Sequence, residues 1–347
     1  MLHLSIKYLE FALLRGPVHD PYTARGRSRI VSALDICINS RLVGLSSTEV
    51  GSVRSTELDK DGIPLPRPQR HLPPAKTPPS RTRSTALGRH ALRLVLHYLV
   101  LDTLMALIRH FGSSTIANPA GVPSALETFS HSDTFVILPH IYPIRPYSSV
   151  VEIVVTVSVA VGVWQGLSLG YHAFALSAIG TGLWEWQAWE VDLFEQPWKA
   201  DSILDLWGKR WHQMFRNQFL LLTNLVLALF HLPRKPTFQL PLVFSFSAVY
   251  HILGQISMSP VPATIPLGLF FIVSGVGCSL EYLFKGITGR RVRGPWGRVW
   301  TWCWMVFTGR WAVAAWLDGG IGGGWLLPIG GPGEWLKHVV IWFVDLK

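Results

Sequence analysis

Two histidines and the charges around one of them are the residues most able to do chemistry. His251 lies in FSFSAVYHILGQIS, inside an apolar run, with Ser247 one turn before it and Gln255 one turn after. An ionisable group at such a depth must face a cavity or a polar partner. A neutral imidazole there is suited to accept a proton as a general base, and the plain alternative is a histidine hydrogen-bonding between two helices. The second histidine belongs to residues 197–219, PWKADSILDLWGKRWHQMFRNQF. Wound as one helix from Ser202, that stretch brings Asp205, Lys209, His212 and Arg216 within about 60° of one another at ~100° per residue. Leu204, Trp207, Trp211, Met214 and Phe215 take the other side, and Asp201 or Ser202 ahead of Asp205 reads as a capping signal. A charged stripe backed by indole rings suits a helix lying at a membrane interface. His212 precedes His251 by 39 residues, so the expectation is that both line one cavity.

The elements that must hold these groups are written in the composition. Of 347 residues, 49% are hydrophobic and only 15% charged, with 16 tryptophans, which points to lipid as the solvent. The net charge of +10 is uneven: residues 15–93 hold 14 of the 31 basic side chains against 6 acidic ones. Basic excess beside apolar spans marks the cytoplasmic side of a membrane protein, and no nucleic-acid-binding motif accompanies it. The three cysteines form no CxxC pair, so no disulfide scaffold is expected, and Cys278 and Cys303 fill apolar helices. Residues 1–15 are too short an apolar run to cross the bilayer, and residues 55–93 are a proline-broken basic linker. The expected division is a basic, partly disordered cytosolic region over residues 1–90 and a membrane-embedded domain over residues 91–347.

Apolar runs recur at 91–108, 148–163, 167–188, 219–232, 240–256, 265–284, 299–317 and 335–344. The fold class expected is all-α, a multi-pass bundle of about 6–8 membrane segments. Orientation raises a conflict. If residues 15–93, 199–216 and 285–298 are all cytoplasmic, an even number of crossings separates them, yet three runs fall in each interval. At least one segment per interval must then be re-entrant or interfacial, and 219–232 is the candidate in the second.

The string SILDLWGKRWHQMFRNQF, preceded by FEQPW and followed by a histidine in an apolar, serine-rich helix, resembles the wax-synthase branch of the membrane-bound O-acyltransferase superfamily. RSRIVSALDICINSRLVGL resembles that branch's pre-membrane stretch, with Arg41-Leu42 where fungal members have Arg-Gly. The likeness covers roughly residues 20–45 and most of 90–310. It departs from the family in its short or missing amino-terminal membrane helices and in its long basic linker.

The resemblance implies acyl transfer from a coenzyme A thioester to a hydroxyl within a membrane tunnel of the endoplasmic reticulum. His251 matches the family's apolar-helix histidine, and His212 matches the second active-site position, which plant relatives fill with Asn. By that implication His251 is the base, and His212 positions the acceptor or supports the oxyanion. Lys209, Arg210, Arg216 and Trp211 are the candidate contacts for acyl-CoA, which is a co-substrate; no permanently bound cofactor and no metal are expected. Trp211-His212 reads as in the fungal group, which favours acetyl-CoA and an apolar, hydroxylated terpenoid or meroterpenoid acceptor. A long-chain wax-ester synthase, a transporter, a lipid-binding protein and a catalytically dead scaffold are the rivals.

Other signals carry less. Gly166 to Gly170 fits GxSxG but lies between apolar helices with no strand before it. His97 and Asp102, five residues apart on a helix, point to different sides. Arg310 must find a partner or a polar cavity: it could hold a phosphate or carboxylate, but stacking among Trp300, Trp304 and Trp311 is the first expectation. Glu185 and Glu190 read as an interfacial helix end, and residues 319–333 as a glycine-rich loop.

Overall fold

The computed structural model describes residues 18–19, 28–38, 46–47, 82–111, 116–117, 149–184, 186–189, 191–259, 261, 264–324, 327 and 330–345. The expectations for residues 1–15, for most of the 55–93 linker and for Glu185 and Glu190 lie outside them. The described chain is helical: α1 Arg29–Ile38, α2 Arg83–Phe111, α3 Ser149–Gly180, α4 Arg216–Leu229, α5 Pro236–Ile256, α6 Thr264–Thr288, α7 Gly294–Asp318 and α8 Pro332–Asp345. Its extended structure is one two-residue antiparallel pair, Val18 with Ser47 and His19 with Ser46.

Four helices are long and apolar enough to cross a membrane: α2, α3, α5 and α6. The expected class, a helical membrane bundle, is borne out. α4 and α8, with 14 residues each, rise about 21 Å and fall short of ~30 Å of hydrocarbon. α7 has the length but carries Arg298 and Arg310.

The runs at 148–163 and 167–188 are not two segments. α3 passes through Gly162, Gly166 and Gly170 without a break, because glycine weakens a helix by only about 1 kcal/mol against alanine and no proline interrupts it. GxSxG is therefore mid-helix, with Ser168 buried. The conflict over orientation goes with it. Among the described residues, two helices of membrane length, α2 and α3, separate the first two basic stretches and two, α5 and α6, the second two, while α4 is too short to span.

The chain divides into two compact units. One comprises Met1–Leu92, Tyr171–Trp198 and Leu204–Val243; the other comprises Arg93–Gly170, Lys199–Ile203 and Phe244–Lys347. In the first, Arg83 near the start of α2 donates to the last carbonyls of α3, Ile179 O at 2.6 Å and Gly180 O at 3.0 Å, where the helix dipole is negative. In the second, Val155 and Val159 of α3 meet Val313, Ala314 and Leu317 of α7 around Ile116. α6 is its central helix. Half of its apolar window is buried, against 17–28% for the other three membrane-length helices. Two glycines make this possible. A Cβ on Gly275 would lie 2.8 Å from Phe244 of α5, and one on Gly277 would lie 2.7 Å from Ile203 and 2.8 Å from Trp304 of α7.

Candidate functional site

In the second unit, His251 stands on α5 half-buried and stacked on Phe271 of α6, with ring centroids 4.1 Å apart and planes 25° apart. Its Nδ1 lies 2.8 Å from the Ser247 carbonyl. A carbonyl only accepts, so Nδ1 carries the proton, and when the ring is neutral Nε2 is its acceptor. This is the tautomer that a base working through Nε2 requires. One turn on, buried Gln255 donates to Ala315 O of α7 at 3.3 Å, tying the end of α5 to its neighbour.

The stretch that carries His212, in the first unit from Leu204 onward, is not the helix expected. A single helical turn, Ile203–Asp205, runs into a five-residue π turn, Leu206–Arg210, closed by Trp211 N–H donating to Leu206 O at 2.8 Å. Trp211 is extended (φ −74°, ψ 158°), and α4 starts only at Arg216. The backbone groups freed by the break have other partners. Gln213 donates to Trp207 O at 3.0 Å and Trp211 O at 2.7 Å, and Glu195 N–H donates to Arg210 O at 2.9 Å. π turns are rare and recur at functional sites, and this one coincides with LWGKR.

The charged stripe is accordingly dissolved. Arg210 pairs with Asp205 and donates to Glu195 O (3.3 Å) and Gln196 O (3.4 Å); Lys209 pairs with Glu195 at 3.2 Å. Both basic side chains brace the turn against residues 195–196. Arg216 is exposed on the first turn of α4. His212 is half-buried, with Phe194 and Phe215 edge-on to its ring at 5.8 and 6.0 Å. Of the two cap candidates, Asp201 accepts from Gly294 N–H at 3.2 Å. His212 and His251 fall in different units.

Several groups escaped the sequence reading. Buried Glu281 of α6 accepts from Ile203 N–H at 2.7 Å and from the Trp300 indole at 2.9 Å, holding the chain where it enters the turn. His90 of α2 and His172 of α3 are buried and joined Nδ1 to Nδ1 at 2.9 Å, one ring donating and the other accepting. Partners 82 residues apart leave no local pattern to read. His97 bonds Gln165 at 2.5 Å, while Asp102 accepts from Gly333 N–H at 2.7 Å, so these two do diverge on α2. Arg310 is not framed by indoles: it lies over Phe307 at 4.6 Å and 3.6 Å from Glu152. A carboxylate on α3 outbids stacking there, because a charge in an apolar setting needs a countercharge first. Among the described residues no cluster of His, Cys, Asp and Glu is suited to a metal ion.

Residues 189–273, which include both histidines, match the model of the Membrane bound O-acyl transferase family. Acetyltransferase spyB of Aspergillus fumigatus is 29% identical over 120 residues, 33% of this chain and 20% of that protein. Acetyltransferase eriL of Hericium erinaceus is 24% identical over 260 residues, 72% of this chain and 60% of that protein. The chain thus spans less than two thirds of either relative. No solved structure gives a significant match. With a family match over the segment that holds LWGKRWH and His251, and with two fungal acetyltransferases among its relatives, the resemblance to the membrane-bound O-acyltransferases is borne out.

Proposed function

We propose that this protein is an O-acyltransferase of the endoplasmic-reticulum membrane. It moves an acyl group, acetyl before longer chains, from acyl-CoA to a hydroxyl of an apolar small molecule of terpenoid or meroterpenoid type. The observation that carries this reading is the state of His251: Nδ1–H is held by the Ser247 carbonyl and Nε2 is left to accept a proton. The alcohol oxygen attacks the thioester carbonyl while Nε2 takes its proton. The carbon–sulfur bond breaks, the coenzyme A thiolate leaves, and the imidazolium returns the proton to it. No acyl-enzyme is required, because a thioester is already activated and the site has only to align two substrates. His212 serves the acceptor or the oxyanion. Of the proposed acyl-CoA contacts, exposed Arg216 meets the donor's phosphates and half-buried Trp211 its adenine, whereas Lys209 and Arg210, held by carboxylates, act mainly through the shape of the turn.

The names of the two relatives support the acetyl donor, and the four membrane-length helices support an apolar acceptor that arrives through lipid. The test is microsomes carrying the full chain, given labelled acetyl-CoA and an extract of hydroxylated metabolites. Ester product should fall about 10²–10⁴-fold in His251→Ala at unchanged membrane abundance. Undiminished product in that variant overturns the assignment, and a preference for palmitoyl-CoA replaces the acetyl donor with a long-chain one.

A further inference from the structure

The loop from the end of α6 to the first turn of α7 carries Lys285, Arg290, Arg291, Arg293 and Arg298, with no acidic residue among residues 285–298. All five cations are exposed, and none is in an ion pair with a described residue. The C-terminus of α6 offers only about half a negative charge, enough for one of them. The loop is nonetheless held in one shape. Gly289 N–H donates to Lys285 O at 2.9 Å, Arg290 N–H to Thr288 Oγ1 at 3.1 Å, and Gly294 N–H to Asp201 at 3.2 Å; buried Gly297 lies against the Asp201 carbonyl. The arginines are therefore presented from a fixed backbone and do not trail on a tether. Two large apolar side chains bracket Arg290, Arg291 and Arg293: Ile287 at 75% exposure and Trp296 at 84%. Because α6 is long and apolar enough to cross the bilayer, its end brings both groups to the membrane surface.

We propose that this loop is a docking surface for anionic phospholipid headgroups. Guanidinium forks match phosphate oxygens in pairs, and exposed indole and isoleucine side chains enter the boundary between headgroups and acyl chains. The positive-inside tendency alone would orient the helices without any preference among lipids, so a preference is the distinguishing property. The claim stands apart from acyl transfer, since its readout is lipid binding.

The full chain, purified in detergent, is titrated with phosphatidylserine or phosphatidylcholine of matched acyl chains, and retained lipid is counted by native mass spectrometry. The wild type should retain phosphatidylserine about tenfold better, and Arg290→Gln/Arg291→Gln/Arg293→Gln should lose that preference to within about twofold. Circular dichroism confirms that the variant, altered only at exposed positions, is folded. Adding adenosine 3′,5′-bisphosphate should leave retention unchanged. Equal retention of the two lipids by the wild type, a preserved preference in the triple variant, or displacement of lipid by the soluble nucleotide would each overturn the proposal, the last by reassigning the arginines to a free phosphate.

Discussion

His251 is carried by a continuous 21-residue helix and oriented by one carbonyl of its own helix and one neighbouring ring. His212 follows an extended residue at the end of a π turn whose carbonyls are met by the side chain of Gln213 and the amide of Glu195, and whose Arg210 side chain reaches out to the carbonyls of Glu195 and Gln196. The direction of the first ring is thus set locally and survives most changes elsewhere. The direction of the second depends on several residues at once. A group that must hold one geometry through proton transfer belongs on the first kind of support. A group that adapts to the substrate tolerates the second.

The widest separation between the two supports should appear in the histidines themselves. His251→Ala removes the proton acceptor, and the expected loss in kcat is about 10²–10⁴-fold. Asn in place of His212 keeps a hydrogen-bonding group and should retain most of the activity that His212→Ala loses. Equal and total losses in His212→Asn and His251→Ala would show that the two positions are not different in kind.

Next in size is Gln213, which no chemistry requires but whose amide meets two carbonyls. Gln213→Ala leaves Trp207 O and Trp211 O without those bonds, at about 1–3 kcal/mol. Hydrogen exchange should rise across residues 206–215, with acyl transfer falling in step, and exchange in α5 should not change. The mirror experiment is Gly277→Ala, where a methyl group meets Ile203 and Trp304 at under 3 Å. Overpacking of this kind destabilises by about 1–3 kcal/mol, read as a lower melting temperature of the whole chain, because α6 and α7 pack together. A purely local effect from Gly277→Ala would break the contrast between a global and a local support.

The same contrast explains what could be read without coordinates. Long apolar runs become helices because lipid leaves the backbone no other partner, so α5, α6 and α2 from Ala91 onward are legible from composition alone, as is the place of His251 among Ser247 and Gln255; residues 83–90, expected as linker, are instead the first turns of α2, where Ala86 and His90 are buried. The π turn was not. Residues 202–216 have a clean helical period, but the bonds that break it come from Glu195, Asp205 and Gln213, whose partners are chosen by tertiary proximity. Pairs such as Glu281 with Trp300, or His90 with His172, were hidden for the same reason: each residue is unremarkable within its own helix. The merging of two runs into α3 escaped notice because glycines that usually punctuate a chain do so weakly inside an apolar helix.

The smallest expected effect concerns the last helix, whose attachment is electrostatic where that of α5 to α6 is packing. Glu334 at the start of α8 accepts from Arg109 of α2 at 3.1 Å and from Lys337 at 2.5 Å, and Gly333 N–H reaches buried Asp102. The hydrogen bonds from Lys337 and Arg109 hold the Glu334 carboxyl below the ordinary carboxylate range. A group whose folded value is lowered contributes stability that is complete above its unfolded value and is lost as pH falls through the folded one. Exchange protection of α8 should therefore stay level from neutral pH down to the ordinary carboxylate range and drop only below it, while that of α5 and α6 does not follow. Glu334→Gln should lower the protection at neutral pH and flatten its acid limb. The amplitude is modest because water reaches this carboxylate and screens its partners. If α8 stayed protected through the acid range in the wild type, apolar contacts and the Asp102 bond would be holding it, and the difference in how the two helices are attached would disappear.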